Sequence, residues 1–379
     1  MSKVFIVAGE ASGDMLGSQV MTALKFQRKD AISFDGIGGP LMEDQGLESL
    51  FPAKELSVMG IVEIVRHLPR FYRLYRQTKR AIEQAHPDII VTIDCPEFSF
   101  PIGKWAHRRG YKVHHIVAPS VWAWRPGRAE KIAAFLSKLY CLYPFEPPLF
   151  QVYGLDARFV GHPLIDKQIK KEDGVDFRAS RGIDKKTPLL CTLLGSREGE
   201  IQRLLPVFQK TALLLQKEIP DLHLVLPTVP QVADIIRKTS WACPTLIVTD
   251  EKEKYQAMHA SNAALAASGT VTLELALATL PSVVAYKVNG LTALIARMLV
   301  KTPFVSLPNI LLQKQVMPEL LQEDCTPEKL AQKLLPLIKE PQKSKATIQQ
   351  LKAVREKLTA PNGKPSLSIC EGILEDLPG

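Results

Sequence analysis

The chain has 379 residues, 46% hydrophobic and 23% charged, and its 48 lysines and arginines outnumber 39 acidic residues for a formal charge of +9. These values exclude a disordered or fibrous chain, suit two globular domains, and favour anionic partners such as nucleotides, nucleic acid or acidic lipid without choosing among them. Six cysteines without a Cys-Xaa-Xaa-Cys pair, no leader-like N-terminus and no apolar run of about 18 residues argue against a disulfide framework, a zinc site, secretion and a membrane span, and a reducing cytoplasm is expected.

The first predicted strand, Val4 to Ala8, breaks into Gly9-Glu10-Ala11-Ser12-Gly13-Asp14 and then a helical pattern. Glycines at both ends let such a turn tighten and approach a ligand, and Ser12 or Asp14 can cap the helix. The turn has no Gly-Xaa-Gly-Xaa-Xaa-Gly signature and no Walker lysine follows, so taken alone it reads first as a structural turn. A basic amphipathic segment comes next. Val58, Ile61, Val62, Val65, Leu68, Tyr72 and Tyr75 fall near one helical face, Arg66, Arg70 and Arg73 lie largely elsewhere, and Pro69 kinks or splits the helix. A solvated surface helix and a membrane-surface helix both fit this pattern. No RNA- or DNA-binding motif accompanies the charge, so no nucleic acid partner is expected.

Strands are predicted at Ile89 to Ile93 and Val113 to Val117. After the first comes Asp94-Cys95-Pro96-Glu97-Phe98-Ser99-Phe100, a carboxylate at a strand tip that can take a proton from a substrate hydroxyl or simply cap a turn. After the second comes Pro119-Ser120-Val121-Trp122-Ala123-Trp124-Arg125, whose aromatic residues and arginine could line a sugar or acyl site or simply pack. Gly161-His162-Pro163-Leu164 and the polar, basic stretch through Lys171 and Asp176 read as a hinge.

Beyond the hinge, strands are predicted at Leu189 to Leu194, Leu222 to Leu226, Leu246 to Val248, Ala263 to Ala267 and Val283 to Tyr286. Continuous apolar strands separated by helices mean parallel sheets covered on both faces, hence an α/β protein of two Rossmann-like doubly wound domains. Ligands of such sheets sit at the carboxyl ends of strands, so two domains facing each other make one central cleft. Two turns in the second half suit anions. Gly195-Ser196-Arg197 enters a helix with an arginine on it, and Ser268-Gly269-Thr270 follows another apolar strand with Glu274 one helical turn beyond. Free N–H groups and a guanidinium can hold phosphate, and the glutamate can accept both hydroxyls of a ribose, so together they point to a nucleotide diphosphate.

Assembled, these segments resemble the lipid-A-disaccharide synthase family, GT-B glycosyltransferases of Gram-negative bacteria. The similarity runs nearly end to end, through the Gly9 to Asp14 turn, Val58-Met59-Gly60-Ile61-Val62-Glu63, Ile93-Asp94-Cys95-Pro96, Pro119 to Arg125, Gly161-His162-Pro163, Gly195-Ser196-Arg197, Ala267-Ser268-Gly269-Thr270 and Val305-Ser306-Leu307-Pro308-Asn309. Each piece is unspecific and the combination is specific. Where the family pattern after the strand-tip Asp ends in Phe-Asn, this chain has Phe98-Ser99.

The resemblance implies inverting transfer of 2,3-diacylglucosamine from its UDP donor to the 6-hydroxyl of 2,3-diacylglucosamine 1-phosphate, giving a β-1,6 disaccharide and UDP. It implies Asp94 as base, Arg197 with Gly195, Ser196, Ser268, Gly269 and Thr270 on the diphosphate, Glu274 on the ribose, and Asn309 as a further donor contact. Glu10, Ser12, Asp14, Trp122 and Arg125 then position the acceptor. There is no Asp-Xaa-Asp triplet, so neither a metal nor a cofactor is expected. Because both substrates carry acyl chains, Val58, Met59, Ile61, Val62, Arg66, Arg70 and Arg73 are expected to meet an anionic lipid surface at the cytoplasmic face of the inner membrane. The segment Leu291 to Val300 assists, and a homodimer is compatible. The expected domains are 1–165 for the acceptor and membrane, 166–345 for the UDP-sugar, and a helical segment 346–379 returning to the first. The competing readings are a UDP-sugar 2-epimerase and a non-catalytic lipid- or nucleotide-binding scaffold.

Overall fold

The computed structural model describes residues 2–29, 31–56, 68–124, 127–167, 172–289, 302–360 and 363–378. Contacts divide the chain into two compact units, Met1–Pro163 with Leu358–Gly379, and Leu164–Lys357.

The first unit holds β1 (Ser2–Ala8), β2 (Ile32–Ile37), β3 (Glu48–Ser49), β4 (Ile89–Ile93), β5 (Lys112–Ile116), β6 (Lys138–Cys141) and β7 (Asp156–Phe159). They pair in parallel in the order β3-β2-β1-β4-β5-β6-β7, so the winding reverses between β1 and β4. Alternate residues of the central strands enter cores on opposite faces. Phe5, Val7 and Ile90 pack with Phe98 and Ile102 on one side. Val4, Ile6 and Val91 pack with Leu16, Val20 and Leu24 on the other. The last helix, Pro365–Leu374, adds Ile369, Cys370 and Ile373 to that second core against the helix Ala11–Arg28.

The second unit holds β8 (Leu189–Leu193), β9 (His223–Pro227), β10 (Thr245–Val248), β11 (Ala263–Ala267), β12 (Ser282–Tyr286) and β13 (Glu319–Leu321), parallel in the order β10-β9-β8-β11-β12-β13. Its winding reverses between β8 and β11, whose carboxyl ends therefore flank the natural ligand position of the sheet. The α/β, doubly wound fold class is as the sequence predicts. Strands β2, β3, β6, β7 and β13 complete the sheets beyond those predicted. Among the described residues no helix is long and apolar enough to cross a membrane.

Candidate active site

At the tip of β4 the chain turns through two consecutive left-handed residues, Asp94 (φ 51°) and Cys95 (φ 47°), before the helix Pro96–His107 begins. Residues other than glycine adopt this region at a cost of about 1 kcal/mol or more each, so neighbouring bonds must hold the turn. The Asp94 N–H donates to Ile116 O (3.0 Å), Ser99 Oγ donates to Asp94 O (2.7 Å), and the Cys95 N–H donates to Asp94 Oδ1 (2.9 Å). Among the described residues Asp94 Oδ2 takes no hydrogen bond. Burial raises the Asp94 carboxyl above its ordinary value, the Cys95 amide opposes the rise, and the Glu97 charge adds to it. A half-buried carboxylate with one uncommitted oxygen and a raised proton affinity is suited to general-base work. Ser99, which departs from the family pattern, is 1% exposed and holds the Asp94 carbonyl.

The turn after β1 has a different fate. The helix starts at Ala11, so Gly13 and Asp14 lie inside it, Glu10 is its N-cap, and no side chain caps it. A Cβ on Gly9 would stand 2.6 Å from Cys95 Sγ and 2.8 Å from Leu56 Cβ, so glycine here admits the close approach of Cys95 and Leu56. Asp14 is buried. Its Oδ1 accepts from the Gly39 N–H (2.9 Å) and Met42 N–H (3.0 Å), and its Oδ2 from the Leu41 N–H (3.1 Å). Asp14 therefore caps the short helix Pro40–Glu43. The expectations that it caps its own helix and that it positions the acceptor are both corrected. Ser12 is exposed and Glu10 half-buried. Ala8 pairs with Ile93, so Glu10 and Asp94 leave neighbouring strands at the same level.

Trp122 is half-buried, its ring edge-on to Phe145 with centroids 5.3 Å apart and its Nε1 donating to Glu146 Oε1 at 3.3 Å. Glu146 is 1% exposed and also accepts from the Tyr143 N–H (3.1 Å). Burial pushes its carboxyl up to about 8 against those hydrogen bonds, so it is mainly protonated at neutral pH. Glu146 was not a sequence candidate; its only signal is an acid beside the aromatic run Tyr143-Pro144-Phe145. Arg125 lies outside the described residues.

In the second unit Gly195, Ser196 and Arg197 leave β8, and Ser268, Gly269 and Thr270 leave β11. With Glu274 they line a pocket of about 440 Å³. Gly195 is left-handed (φ 100°), and a Cβ there would meet Glu200 Oε2 at 2.7 Å, so both conformation and space require glycine. Ser196, Arg197, Gly269 and Thr270 are exposed, and the helix Glu198–Glu218 begins at Arg197, presenting N–H groups that have no partner within the helix. Ser268 is turned the other way: its N–H continues the sheet ladder to Ala285 O (3.2 Å) and its Oγ donates to Val305 O (3.1 Å). Its expected contact with a diphosphate through these groups is corrected.

The Glu274 side chain is 12% exposed. Oε1 accepts from Lys254 Nζ (2.9 Å) and Tyr255 OH (2.8 Å), and Oε2 from Lys254 Nζ (3.0 Å). Lys167 Nζ in turn donates to Tyr255 OH (3.1 Å) and pairs with Glu251. Lys254 also lines the pocket, a second cation that sequence reasoning missed. The run Glu251-Lys252-Glu253-Lys254 looks like a solvated helix face, and nothing in it singles out one lysine.

Asn309 is fully buried. Its Nδ2 donates to Met317 O (2.8 Å) and Glu319 Oε1 (2.7 Å), and its Oδ1 accepts from the Val316 N–H (2.8 Å) and Met317 N–H (2.9 Å). All four positions of the amide are filled, so the expected donor contact by this side chain is corrected. Glu319 also accepts from the Val305 and Ser306 N–H groups. The motif Val305 to Asn309 is thus a buried latch that supports the pocket through the Ser268 bond.

Of the expected membrane residues, Val58, Met59, Ile61, Val62 and Arg66 lie outside the described residues, as does Leu291 to Val300. The helix Leu68–Ala85 buries Leu74, Thr78 and Ile82. Tyr72, expected on the apolar face, is instead 61% exposed, because the buried stripe runs through Leu74. Arg70 pairs with Glu55 (3.2 Å), whereas Arg73, Arg76 and Arg80 are exposed and line, with Tyr72, a groove of about 590 Å³.

A family model described as lipid-A-disaccharide synthetase matches residues 4–366. A lipid-A-disaccharide synthase of Rhodospirillum centenum is 42% identical, the match covering 98% of this chain and 94% of the relative. That of Gluconobacter oxydans is 41% identical, with 98% and 90% covered. Among solved structures, a UDP-GlcNAc 2-epimerase from Neisseria meningitidis bound to UDP-GlcNAc superposes with a TM-score of 0.66 at 13% identity, covering 98% of this chain and 100% of that one. The glycotransferase of kitacinnamycin superposes with a TM-score of 0.65 at 15% identity, covering 100% and 99%. At such identities these two likenesses speak for the fold alone, whereas the sequence matches extend over nearly the whole length. The chain belongs to the lipid-A-disaccharide synthase family.

Proposed function

We propose that this chain is an inverting hexosyltransferase that joins UDP-2,3-diacylglucosamine to 2,3-diacylglucosamine 1-phosphate, forming the β-1,6 disaccharide 1-phosphate and UDP. The observation that carries the reading is the Asp94 turn: a carboxylate at the winding reversal of its sheet, held by three hydrogen bonds in a left-handed conformation, with raised proton affinity and one oxygen unpartnered among the described residues.

In this reading Asp94 takes the proton of the acceptor 6-hydroxyl as that oxygen attacks the anomeric carbon from the face opposite the leaving group. The bond between the anomeric carbon and the β-phosphate oxygen breaks, UDP departs with the electron pair, and Asp94 returns its proton to solvent. Charge growing on the diphosphate is met by the Arg197 guanidinium, by the N–H groups at the start of the helix Glu198–Glu218, and by the exposed Gly269-Thr270 turn. Glu274 accepts from the ribose hydroxyls. Glu10, Ser12 and the Trp122 ring, whose N–H is already engaged by Glu146, serve the acceptor sugar.

The acyl chains bring the substrates from a bilayer, and the exposed Tyr72 among Arg73, Arg76 and Arg80 fits an anionic headgroup layer, with apolar bodies inward and charges outward. The groove between Phe71, Tyr75, Phe98 and Pro101 offers an apolar wall beside Glu97. This supports peripheral attachment at the cytoplasmic face of the inner membrane.

The test is a detergent-supported assay with both substrates, read by mass spectrometry, on wild type and Asp94→Asn. Disaccharide phosphate from wild type, and at least a hundredfold less from a folded variant that still binds UDP, is the expected result. Folded wild type that yields no disaccharide overturns the reaction, and full activity in the variant overturns the base.

A further inference from the structure

The cation that sequence reasoning missed occupies a position with a consequence for donor selection. In this pocket Lys254 Nζ donates to both oxygens of Glu274, at 2.9 and 3.0 Å, and Tyr255 OH takes a second site on Oε1. A carboxylate offers about four acceptor sites, so among the described residues three are filled and a ribose diol, which needs two, finds one. A nucleoside must therefore displace Lys254 before it can use Glu274. A displaced, mostly buried ammonium needs another anion, since an unpaired charge at 24% side-chain exposure is costly. Arg197 and the start of the helix Glu198–Glu218 line the same 440 Å³ pocket, and the four-carbon lysine stem can swing the ammonium toward a diphosphate bound there. Glu274 is not left loose by the exchange, because Tyr255 remains on Oε1 and is itself held by Lys167.

We propose that Lys254 is an exchangeable plug of the donor site: it covers Glu274 when the pocket is empty and moves to the diphosphate when a nucleoside diphosphate enters, so that the pocket rejects nucleosides lacking that charge. This specificity role rests on the donor reading of the pocket given above, and it is separate from the identity of the base.

The test is titration of wild type, Lys254→Met and Lys254→Arg with UDP and with uridine, by calorimetry for the former and ligand-observed NMR for the latter. Lys254→Met is expected to weaken UDP about tenfold or more while tightening uridine several-fold, because Glu274 is uncovered. Lys254→Arg, which keeps the charge, is expected to restore UDP affinity. Melting curves show whether each variant is folded. If Lys254→Met leaves both ligands unchanged, the lysine is a spectator and the proposal is wrong. If both ligands weaken by the same factor, Lys254 only holds the shape of Glu274, and the exchange is again wrong. Wild type that fails to bind UDP at all removes the donor reading itself, an outcome the other results cannot mimic.

Discussion

Two turns in this molecule share one sequence grammar, an apolar strand broken by glycine and followed by a long helix. After β1, Gly9 gives way to the neighbouring Cys95 and Leu56, and the carboxylate of Asp14 caps another helix inside the protein. After β8, Gly195 takes up a left-handed conformation, and Ser196 and Arg197 stand exposed on a pocket. Glycine and polar residues at a strand tip thus specify a backbone path, and what distinguishes a site is whether the polar groups remain uncommitted once the chain has folded. Asp94 and Asp14 repeat the contrast within one unit. Among the described residues one carboxylate keeps an oxygen free at a strained turn, and the other has both oxygens filled by backbone N–H groups.

The most drastic way to break this contrast is to remove the poised carboxylate. Asp94→Asn is expected to lower turnover by about 10² to 10⁴, as loss of a general base does, with melting temperature and UDP affinity near wild type. Since burial raises the Asp94 carboxyl, kcat/KM of the wild type is expected to fall on acidification while pH is still above the ordinary carboxylate range. A variant with unchanged turnover would move the base to another group, Glu10 first. Next in size, Arg197→Ala is expected to weaken UDP and lower kcat/KM by about 10- to 100-fold, the value of a charge-assisted hydrogen bond to phosphate. If UDP binding were untouched, Arg197 would make no contact with the diphosphate.

Glu146 sharpens the contrast from another side, because it is a carboxylate that stays protonated. Its folded value of about 8 lies above the ordinary carboxylate value near 4.3, so between those limits the native state holds a proton that the unfolded state has lost. Stability of the wild type is then expected to fall as pH rises across that window, by about 1 kcal/mol per pH unit from this group. Glu146→Gln keeps an acceptor for Trp122 Nε1 and has no proton to lose. Chemical denaturation from pH 5 to 8 should show a shallower decline in the variant, and parallel curves would mean that Glu146 ionises in place.

What the sequence discloses follows the same division. The central strands are legible because both faces are buried and nearly every residue is apolar, as in Ile89 to Ile93, where Thr92 is the one polar residue. Strands nearer the edges escape because polar residues or glycine interrupt them: Asp35 and Gly36 in β2, Asp156 and Arg158 in β7. In β6, Lys138 looks like a surface residue but is buried against Glu375 and Asp376 near the far end of the chain. Asp94 stands out as a candidate because it directly follows an apolar strand, and Arg197 because it sits in a glycine turn a few residues beyond another. The commitment of Asn309 to Glu319 and of Asp14 to Gly39, Leu41 and Met42 depends on partners brought together only by the fold, which local pattern does not encode.

The smallest expected effect is the most direct test of that distinction. Asp14→Asn makes the same chemical change as Asp94→Asn, in the same unit, at a carboxylate also close to the β1 and β4 tips. An amide keeps one oxygen acceptor for the Gly39 and Met42 N–H groups but turns its NH2 toward the Leu41 N–H, so one bond is lost and the charge facing the start of the helix Pro40–Glu43 disappears. Such a change at a cap costs about 1 kcal/mol, seen as a lower midpoint in denaturant with an unchanged slope. Turnover per folded molecule is expected to match wild type, because both oxygens are already engaged by backbone N–H groups. A variant of normal stability and reduced turnover would reverse the assignment, showing that the carboxylate reaches a substrate despite its three backbone partners.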